Sequence, residues 1–246
     1  MSALPCRVFI LAGGLGTRLR GLFPDQPKAM VPIAGRPFLW HQVALLAGQG
    51  FRDFVFCVGF RAEQIVVYFG DGAAWNLRIA YSREPLPLGT AGALRQAASF
   101  FTGSALVLNG DTYLDTDFRD LLAQHGERSA PAALGTLGLV QVADCSRYGE
   151  VLLAPDRRLR QFAEKTSAPP HAGLVNAGAY VFEPAILEAI APGRAVSLEH
   201  ETFPALLSAG AALYGAPLDG TFVDIGTPEG YAALEQQLSR PAGGPR

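Results

Sequence analysis

The sequence predicts an α/β fold with a mixed, mainly parallel β-sheet in a single domain. Three observations support this prediction. First, 49% of the 246 residues are hydrophobic and 17% are charged, so the chain can bury a large core. Second, chains of about 250 residues commonly form one α/β domain. Third, short apolar segments alternate with amphipathic segments in the first half, as in βαβ units, whereas the second half is richer in strands.

Strands and helices are predicted in alternation along the first half. Arg7–Leu11 is a short apolar run that leads into glycines, which indicates a buried strand followed by a loop. Pro37 opens an amphipathic stretch that Gly48 and Gly50 close, as expected of a helix. On the same criteria, strands are expected at 7–11, 54–58, 77–81 and 105–108, and further helices at 63–69 and 90–101.

The second half carries longer strand-like segments and a final helix. Strands are expected at 132–142, 150–153, 159–162 and 174–182, and helices at 184–190 and 201–209. The last helix begins at Thr227-Pro228-Glu229, a capping residue, a proline and an acid in the order that a helix N-terminus prefers, and reaches about Leu238. The domain is therefore expected to span 1–239, and the tail at 240–246, rich in Pro and Gly, to be disordered.

Charge, apolar run length and cysteine count argue against several classes of protein. The 20 basic and 22 acidic residues leave a net charge of −2, which argues against binding to nucleic acid or to an anionic membrane. No apolar run reaches the ~18 residues of a membrane helix and no cleavable leader is indicated, so a cytoplasmic location is expected. Cys6, Cys57 and Cys145 lie far apart without CxxC spacing, so neither a disulfide framework nor a zinc site is expected.

A glycine-rich segment, Gly13-Gly14-Leu15-Gly16-Thr17-Arg18, follows the first predicted strand. It fails the dinucleotide fingerprint because Leu19 stands where the third glycine is required. It fails the Walker pattern because, counted from Gly13, Arg18 stands where the second glycine is required and Leu19 where the lysine is required. What remains is a backbone turn able to point N–H groups at phosphate oxygens, with the Arg18 guanidinium beside it. The alternative is a tight strand-to-helix turn without a ligand.

Lysine is rare in this chain, because Lys28 and Lys165 are the only two lysines among the 20 basic residues. A chain so biased toward arginine is expected to keep lysine where a compact ammonium is required. Lys28 lies between Pro27 and Pro32, which stiffen the segment, so Lys28 could be held as a point charge against a phosphate. The alternative is a solvated loop lysine.

Two aspartates occur where apolar segments end. Asp111 follows the strand predicted at 105–108, and Asp224 follows Phe222-Val223 just before the final helix. Ligands of open α/β sheets bind at such strand ends. Two carboxylates converging there on phosphates suit Mg²⁺, which takes few protein ligands. For either aspartate alone, the alternative is a helix cap or a turn residue.

Seven motifs occur in a fixed order over nearly the whole chain. They are Leu11-Ala12-Gly13-Gly14-Leu15-Gly16-Thr17-Arg18, Pro27-Lys28, Leu88-Gly89-Thr90, Asn109-Gly110-Asp111, Phe162-Ala163-Glu164-Lys165, Asn176-Ala177-Gly178 and Asp224-Ile225-Gly226-Thr227. This set resembles that of the sugar-nucleotide pyrophosphorylases, the nucleotidyltransferases that join sugar 1-phosphates to NTPs. Gly35-Arg36-Pro37-Phe38-Leu39, Asn109-Gly110-Asp111-Thr112-Tyr113 and Ser197-Leu198-Glu199 are most similar to short bacterial guanylyltransferases that use D-glycero-D-manno-heptose 1-phosphate, with those that use mannose 1-phosphate close behind.

The resemblance implies a Rossmann-like nucleotidyltransferase domain and a role for each motif residue. Arg18, Lys28, Asp111 and Asp224 would be catalytic, with Mg²⁺ bound by the two aspartates. The nucleotide would be bound by Leu11, Ala12, Gly13, Gly14, Gly16, Thr17, Glu84, Gly89, Thr90 and Asn109. The sugar phosphate would be bound by Tyr148, Gly149, Glu164, Lys165 and Asn176. The implied partners are an NTP, with GTP favoured, and a sugar 1-phosphate, and association into a homo-oligomer stays open.

The chain departs from the family pattern in two places. Ala29 stands where the second proline of a Pro-Lys-Pro motif is usual, which leaves Lys28 in place. The hexapeptide repeats of longer relatives are not found, so neither an acyltransferase activity nor a trimer built by such repeats is expected.

Glu84 is the residue from which a guanine preference is predicted. Guanine presents two adjacent donors, N1–H and the N2 amino group, and one ionised carboxylate can accept from both. Uracil and thymine place one donor between two carbonyls, which would repel that charge. The alternative is an exposed loop glutamate paired with Arg83, in which case a uridylyl- or thymidylyltransferase remains possible.

Two other function classes compete with a nucleotidyltransferase. A non-catalytic nucleotide-sugar sensor could dispense with Lys28 and Asp111, and a metal-dependent glycosyltransferase would use an Asp-x-Asp motif. Asp115-Thr116-Asp117 fits that motif but falls at a predicted helix start. His200 between two glutamates suggests a metal cluster, yet adjacent helical residues point in different directions, so a capped helix start is preferred there.

Overall fold

The computed structural model describes residues 4, 6–14, 21–128, 133–145, 150–163 and 170–239. The strands are β1 (Arg7–Leu11), β2 (Pro32–Ile33), β3 (Arg36–Pro37), β4 (Asp53–Val58), β5 (Arg78–Arg83), β6 (Ala105–Asn109), β7 (Thr112–Asp115), β8 (Ala133–Val142), β9 (Glu150–Leu153), β10 (Leu159–Ala163), β11 (Gly173–Phe182), β12 (Ala212–Pro217) and β13 (Thr221–Asp224). The helices are α1 (Phe38–Gly48), α2 (Ala62–Phe69), α3 (Gly89–Gln96), α4 (Phe118–Arg128), α5 (Phe203–Ser208) and α6 (Pro228–Ser239).

A seven-stranded sheet forms the centre of the molecule, in the order β12-β8-β11-β6-β1-β4-β5. Strand β11 runs antiparallel to both of its neighbours, β6 and β8, and the other pairs are parallel. The prediction of a mixed, mainly parallel sheet in an α/β fold is therefore confirmed.

Helices cover both faces of this sheet. In β1, Val8 and Ile10 pack into the core on the face covered by α1, α2 and α4, whereas Phe9 packs into the core that α3 and α5 cover. All three side chains are fully buried. A strand buried on both faces reads as a continuous apolar run, which is why the sequence identifies it.

A separate two-stranded antiparallel sheet, β7 with β13, lies beside the point where β6 ends. A third apolar cluster, which includes Ile33, Phe38, Tyr113, Ile225 and Leu234, joins this small sheet to α1 and α6. The hairpin of β2 and β3 also contributes to it. This cluster fixes the small sheet, and with it Asp224, next to the main sheet.

Several predicted helices differ from the structure. The helix predicted at 90–101 ends at Gln96, and a 3-10 turn follows at Ala98–Phe100, because Phe101 turns back to stack on Phe9 with ring centroids 4.4 Å apart. The helix predicted at 184–190 is a 3-10 helix, Pro184–Ala189. The helix predicted at 201–209 is α5, which a π-helical turn at Leu198–Thr202 precedes.

Some elements were not predicted from the sequence. Strand β12 is rich in small residues and contains Gly215, whose missing side chain leaves room for Leu139 and Leu153. Strand β7 and the hairpin of β2 and β3 are too short to give a periodic pattern. The tail predicted at 240–246 lies outside the described residues. Among the residues that the structure describes, no helix has the length and apolar character needed to cross a membrane.

Candidate active site

A cleft of about 370 Å³ opens at the carboxyl ends of β1 and β6. Its walls combine glycines, small apolar residues and four ionisable side chains. The lining residues are Leu11, Ala12, Gly13, Gly14, Lys28, Ala29, Glu84, Pro87, Gly89, Thr90, Ala93, Asn109, Gly110, Asp111 and Glu199. Strand ends of this kind are where open α/β sheets bind ligands.

The register of the sheet brings the two halves of the cleft floor together. Strands β1 and β6 are parallel neighbours, and Leu11 stands opposite Asn109. The N–H of Gly110 donates to the carbonyl of Leu11 over 3.0 Å, and a Cβ at Gly110 would overlap the same backbone. Glycine at this position therefore lets the loop that carries Asp111 pass directly over the end of β1.

The pairing of β7 with β13 brings Asp224 beside Asp111. Thr112 stands opposite Asp224 in this pair, and the N–H of Ile225 donates to the carbonyl of Asp111 over 3.1 Å. The N–H of Gly226 holds Oδ1 of Asp224 over 2.6 Å. Two carboxylates more than a hundred residues apart in sequence thus face one another at the same edge of the main sheet.

Lys28 lies between these two carboxylates. Its ammonium nitrogen is 2.8 Å from Oδ2 of Asp111 and 4.0 Å from Oδ1 of Asp224. The side chain of Lys28 is 10% exposed, compared with 39% for Asp111 and 26% for Asp224. Lys28 is therefore held by carboxylates, so the alternative of a solvated loop lysine is wrong, and its contact with a phosphate stays a prediction. One cation offsets the repulsion between two carboxylates and leaves a local excess of one negative charge.

The donor set of the two aspartates fits a hard cation. Both ligands are carboxylates, both are partly open to solvent, and the cleft beside them has room for phosphate oxygens. Mg²⁺ is commonly bound by one or two carboxylates, with water and substrate phosphates completing its shell. Asp111 and Asp224 are thus the residues that could hold it.

Glu84 contributes its carboxylate to the cleft wall. Its Oε2 accepts a hydrogen bond from the N–H of Leu88 over 3.0 Å, and its carboxylate packs so closely on Gly13 that any side chain there would collide with it. Burial raises the pKa of Glu84 above the usual value, although the Leu88 bond lowers the pKa in part. Within the described residues Glu84 makes no ion pair with Arg83, so the alternative of a paired loop glutamate is wrong.

A polar network that the sequence did not reveal forms the remaining wall. Glu199 lines the cleft, and its carboxylate accepts hydrogen bonds from the hydroxyls of Thr90, Ser197 and Tyr180 over 3.0, 3.0 and 3.1 Å. The buried Tyr180 hydroxyl in turn accepts from the side-chain amide of Asn176 over 2.9 Å. Asn176 therefore lies behind the cleft wall rather than in the cleft lining.

Asn109 presents a buried acceptor at the cleft. Its side-chain Oδ1 is shielded from solvent and has no hydrogen-bond partner in the structure. The backbone carbonyl of Asn109 is held separately, by the side-chain amide of Gln42 over 2.9 Å.

Most of the predicted site residues that the structure describes meet in this one cleft. Those lining it are Leu11, Ala12, Gly13, Gly14, Lys28, Glu84, Gly89, Thr90, Asn109 and Asp111. Asp224 joins them through Lys28, and Asn176 through Tyr180. Gly16, Thr17, Arg18, Tyr148, Gly149, Glu164 and Lys165 lie outside the described residues, so their roles stay predictions.

The two competing acidic motifs have structural roles. Asp117 accepts from the N–H of Arg119 over 3.0 Å and pairs with the Arg119 guanidinium. The Asp-x-Asp segment therefore runs from the end of β7 at Asp115 to the start of α4, with Asp117 at the helix start, as expected. Ser197 caps the turn at His200 by accepting from its N–H over 3.1 Å, which confirms the capped start. Glu201 pairs with Arg194, away from Glu199.

Comparison with known proteins gives matches over nearly the whole chain. The family model described as nucleotidyl transferase matches residues 7–240. A mannose-1-phosphate guanylyltransferase from Mycobacterium tuberculosis is 39% identical over 94% of this chain and 64% of its own length. A UTP–glucose-1-phosphate uridylyltransferase from Synechocystis is 33% identical over 95% of this chain and 64% of its own length. The chain thus spans less than two thirds of either curated relative.

Among solved structures, HddC from Yersinia pseudotuberculosis complexed with GMP-PN superposes with a TM-score of 0.81 at 30% identity. The match covers 95% of this chain and 99% of the HddC chain. With the cleft, its two aspartates and Lys28 in place, these matches establish that the chain belongs to the nucleotidyl transferase family.

Proposed function

We propose that this protein is a sugar-1-phosphate guanylyltransferase, which joins GTP to mannose 1-phosphate or D-glycero-D-manno-heptose 1-phosphate and releases pyrophosphate. The observation that carries the proposal is the position of Lys28, 2.8 Å from Asp111 and 4.0 Å from Asp224 at the mouth of the cleft. A lysine between two carboxylates beside a glycine-rich strand end is suited to polyphosphate chemistry. The guanylyltransferase from M. tuberculosis and the HddC complex with GMP-PN, a guanine nucleotide, support this substrate class.

The reaction needs positioning and charge neutralisation rather than a protein nucleophile. An oxygen of the sugar 1-phosphate forms a bond to the α-phosphorus of GTP, and the bond from that phosphorus to the bridging oxygen breaks. Pyrophosphate leaves with the electrons of the broken bond. Negative charge builds up on the phosphate oxygens, which is the step that preorganised cations stabilise.

Three catalytic candidates lie within the described residues, namely the cation Lys28 and the carboxylates Asp111 and Asp224. The Lys28 ammonium donates hydrogen bonds to phosphate oxygens and is already oriented by Asp111. Asp111 and Asp224 would hold Mg²⁺, which when bound neutralises the phosphates and orients them. The backbone N–H groups of the Gly13–Gly14 turn would contact the nucleotide, and the family resemblance adds Arg18.

The guanine preference is assigned to Glu84. Its carboxylate lines the cleft, has no ion-pair partner among the described residues, and uses one oxygen, Oε2, to accept from Leu88. The second oxygen packs against Gly13 at the cleft wall. An ionised carboxylate in this position suits the two adjacent donors of guanine and repels the carbonyls of uracil.

A uridylyltransferase is the second candidate, because the Synechocystis enzyme is named for UTP and glucose 1-phosphate and is 33% identical. A matrix of five nucleotides against four sugar 1-phosphates distinguishes the candidates. GTP, ATP, CTP, UTP and dTTP are tested with heptose, mannose, glucose and N-acetyl sugar 1-phosphates, and pyrophosphate is measured. GTP as the best donor supports the proposal, and UTP or dTTP as the best donor would replace guanylyl by uridylyl or thymidylyl transfer.

Two further functional classes are disfavoured. A non-catalytic sensor has no need of Lys28 between two carboxylates, and the Asp-x-Asp segment of a glycosyltransferase lies at a helix start instead of in the cleft. Transfer of the sugar from a nucleotide sugar to an acceptor, without release of pyrophosphate, would instead support a glycosyltransferase. The cytoplasmic location and a homo-oligomeric state stay predictions.

A further inference from the structure

A second group of ionisable side chains lies outside the cleft, where β8, β9 and β11 come together. Cys145 follows β8, Glu150 begins β9, and His171 precedes β11. The Cys145 sulfur is 3.2 Å from Nε2 of His171, and that nitrogen is 3.4 Å from Oε2 of Glu150. The three ligand atoms all lie within 4.8 Å of one another. None of these residues lines the cleft.

Two of the three separations are close to those of atoms bound to one tetrahedral metal ion, and the third, from the Cys145 sulfur to a Glu150 carboxylate oxygen, lies within 4.8 Å. With Zn–S near 2.3 Å and Zn–N and Zn–O near 2.0–2.1 Å, a tetrahedral angle places sulfur about 3.6 Å from nitrogen and nitrogen about 3.4 Å from oxygen. The observed 3.2 and 3.4 Å require shifts of only a few tenths of an ångström. The group is therefore close to the arrangement that a metal would impose.

The convergence on a single nitrogen distinguishes a metal site from a nucleophile. In a Cys-His-acid triad, the thiol and the carboxylate contact opposite nitrogens of the imidazole, so that the acid orients the base. Here both contact Nε2 of His171. A carboxylate on that nitrogen competes with the thiol instead of orienting the ring. A cation between the three groups satisfies them all, since thiolate, imidazole and carboxylate are typical zinc ligands.

The backbone around the group is built to bring the three residues together. The N–H of Cys145 donates to the carbonyl of His171 over 3.0 Å, extending the ladder between β8 and β11. Gly173 lies beneath the ligands, where an added Cβ would stand 2.7 Å from a Glu150 oxygen and 2.9 Å from the Cys145 sulfur. Glycine thus leaves the space that the thiol and the carboxylate occupy.

The ligands of this group differ in their exposure to solvent. Cys145 is 1% exposed, whereas the His171 side chain is 45% exposed. A metal bound there would be anchored by a buried thiolate and reached from solvent past the imidazole. Three protein ligands leave a fourth position for water or another ligand, as in open zinc sites.

We propose that Cys145, Glu150 and His171 form a binding site for a divalent metal of the zinc class, separate from the Mg²⁺ site assigned to Asp111 and Asp224. The sequence did not reveal this site, because its residues are spaced 5 and 21 apart without a CxxC or HxxxH pattern. The metal-binding test does not depend on the function assigned to the cleft, because none of the three ligands lines the cleft.

Co²⁺ titration of the metal-free protein, with excess Mg²⁺ present to occupy the carboxylates of the cleft, tests this proposal. A thiolate bound to Co²⁺ gives a charge-transfer absorption that no carboxylate site can give. We expect this band to grow to one equivalent of Co²⁺ and to disappear when one equivalent of Zn²⁺ is added. The lack of a saturable thiolate band in the folded wild-type protein would overturn the proposal.

Variants then identify the ligands. Cys145→Ser is expected to abolish the band, and His171→Gln and Glu150→Gln each to weaken Zn²⁺ binding at least 10-fold in a chelator competition. Gly173→Ala is expected to weaken binding as well, because its Cβ crowds two ligands. Circular dichroism verifies that each variant is folded, and Glu150→Gln, at a partly exposed residue, is the least disruptive of them.

Matched controls use a cysteine and a histidine elsewhere. Cys6→Ala and His200→Gln should bind Zn²⁺ within 2-fold of wild type, since neither residue belongs to the group. A band that persists in Cys145→Ser, or wild-type affinity in both His171→Gln and Glu150→Gln, would contradict the proposal.

Discussion

The Lys28 ammonium donates to Oδ2 of Asp111 over 2.8 Å, across 83 positions of sequence. Asp224 lies on the other side of the same nitrogen, at 4.0 Å. This contact connects the cation proposed to bind phosphate to the carboxylates proposed to bind Mg²⁺, so a change in either group is expected to affect the other.

Asp111→Asn and Asp224→Asn should each lower kcat at least ~100-fold, as expected when a group that supports transition-state charge neutralisation is lost. Both variants should fold, because each amide keeps the shape of the carboxylate. Pyrophosphate release at saturating Mg²⁺ measures the effect. Asp156→Asn, at an exposed turn in the β9–β10 hairpin, is the control with wild-type kcat. Near-normal turnover of either cleft variant would remove that aspartate from the mechanism.

Lys28→Arg should lose at least ~10-fold in kcat/KM although the positive charge is kept. The Lys28 side chain is 10% exposed and fits between two carboxylates, and a planar guanidinium is bulkier and aims its donors differently. Steady-state kinetics with varied GTP measures the loss. Arg36→Lys, at an exposed arginine of the β2–β3 hairpin, is the reciprocal control and should stay within 2-fold. Equal activity of Lys28→Arg and wild type would show that only charge matters there.

Glu84→Gln should lower the preference for GTP over UTP at least ~10-fold, because a neutral amide loses the charge-assisted acceptance from guanine N1–H and N2. The ratio of kcat/KM for the two nucleotides is the relevant quantity. Since the carboxylate accepts from Leu88 N–H and packs on Gly13, the isosteric amide keeps the loop in place. An unchanged ratio would assign base selection to another residue.

The raised pKa of Glu84 predicts a pH dependence of guanine binding. Burial favours the neutral carboxyl, so on acidification Glu84 takes up its proton at a higher pH than a solvated glutamate does. The KM for GTP should therefore rise as the pH falls through this raised pKa, and the rise should be smaller in Glu84→Gln. A pH-independent KM down to the usual glutamate pKa would contradict the assignment.

The raised pKa of Glu84 also affects stability, in the opposite direction: acidification is expected to weaken GTP binding but to favour the folded state. The folded protein binds the Glu84 proton more tightly than the unfolded chain, so the contribution of this group to the free energy of unfolding increases as the pH falls through the raised pKa. Glu84→Gln should accordingly be more stable than wild type at neutral pH, and the difference should shrink in acid. Denaturant unfolding at two pH values measures both.

Tyr180→Phe should lower the free energy of unfolding by about 1–3 kcal/mol, the range expected when buried hydrogen-bonding groups lose a partner. The Tyr180 hydroxyl connects Asn176 to Glu199, and the ring is fully buried. Tyr214→Phe on β12, outside this network, is the matched control. A change below about 0.5 kcal/mol would show that water replaces the hydroxyl.

Much of the fold was predictable because its signals are local. Strands β1 and β6 are buried on both faces and therefore appear as continuous apolar runs, and each leads directly into residues that line the cleft. Pairings between distant segments were not predictable, among them β7 with β13, which brings Asp224 to Asp111. The bonds of Glu199 to Thr90 and Tyr180 likewise depend on elements that meet only in the folded chain.

The stoichiometry of products from GTP and mannose 1-phosphate tests guanylyl transfer by this protein. Nucleotidyl transfer requires one GDP-mannose and one pyrophosphate for each GTP consumed, and this can be measured by chromatography with mass detection alongside a pyrophosphate assay. We expect a 1:1:1 ratio in the wild type, with heptose 1-phosphate giving the corresponding GDP-heptose, and a rate reduced at least ~100-fold in Asp111→Asn. GTP consumption without a GDP-sugar, or no turnover of any NTP with any sugar 1-phosphate, would contradict it.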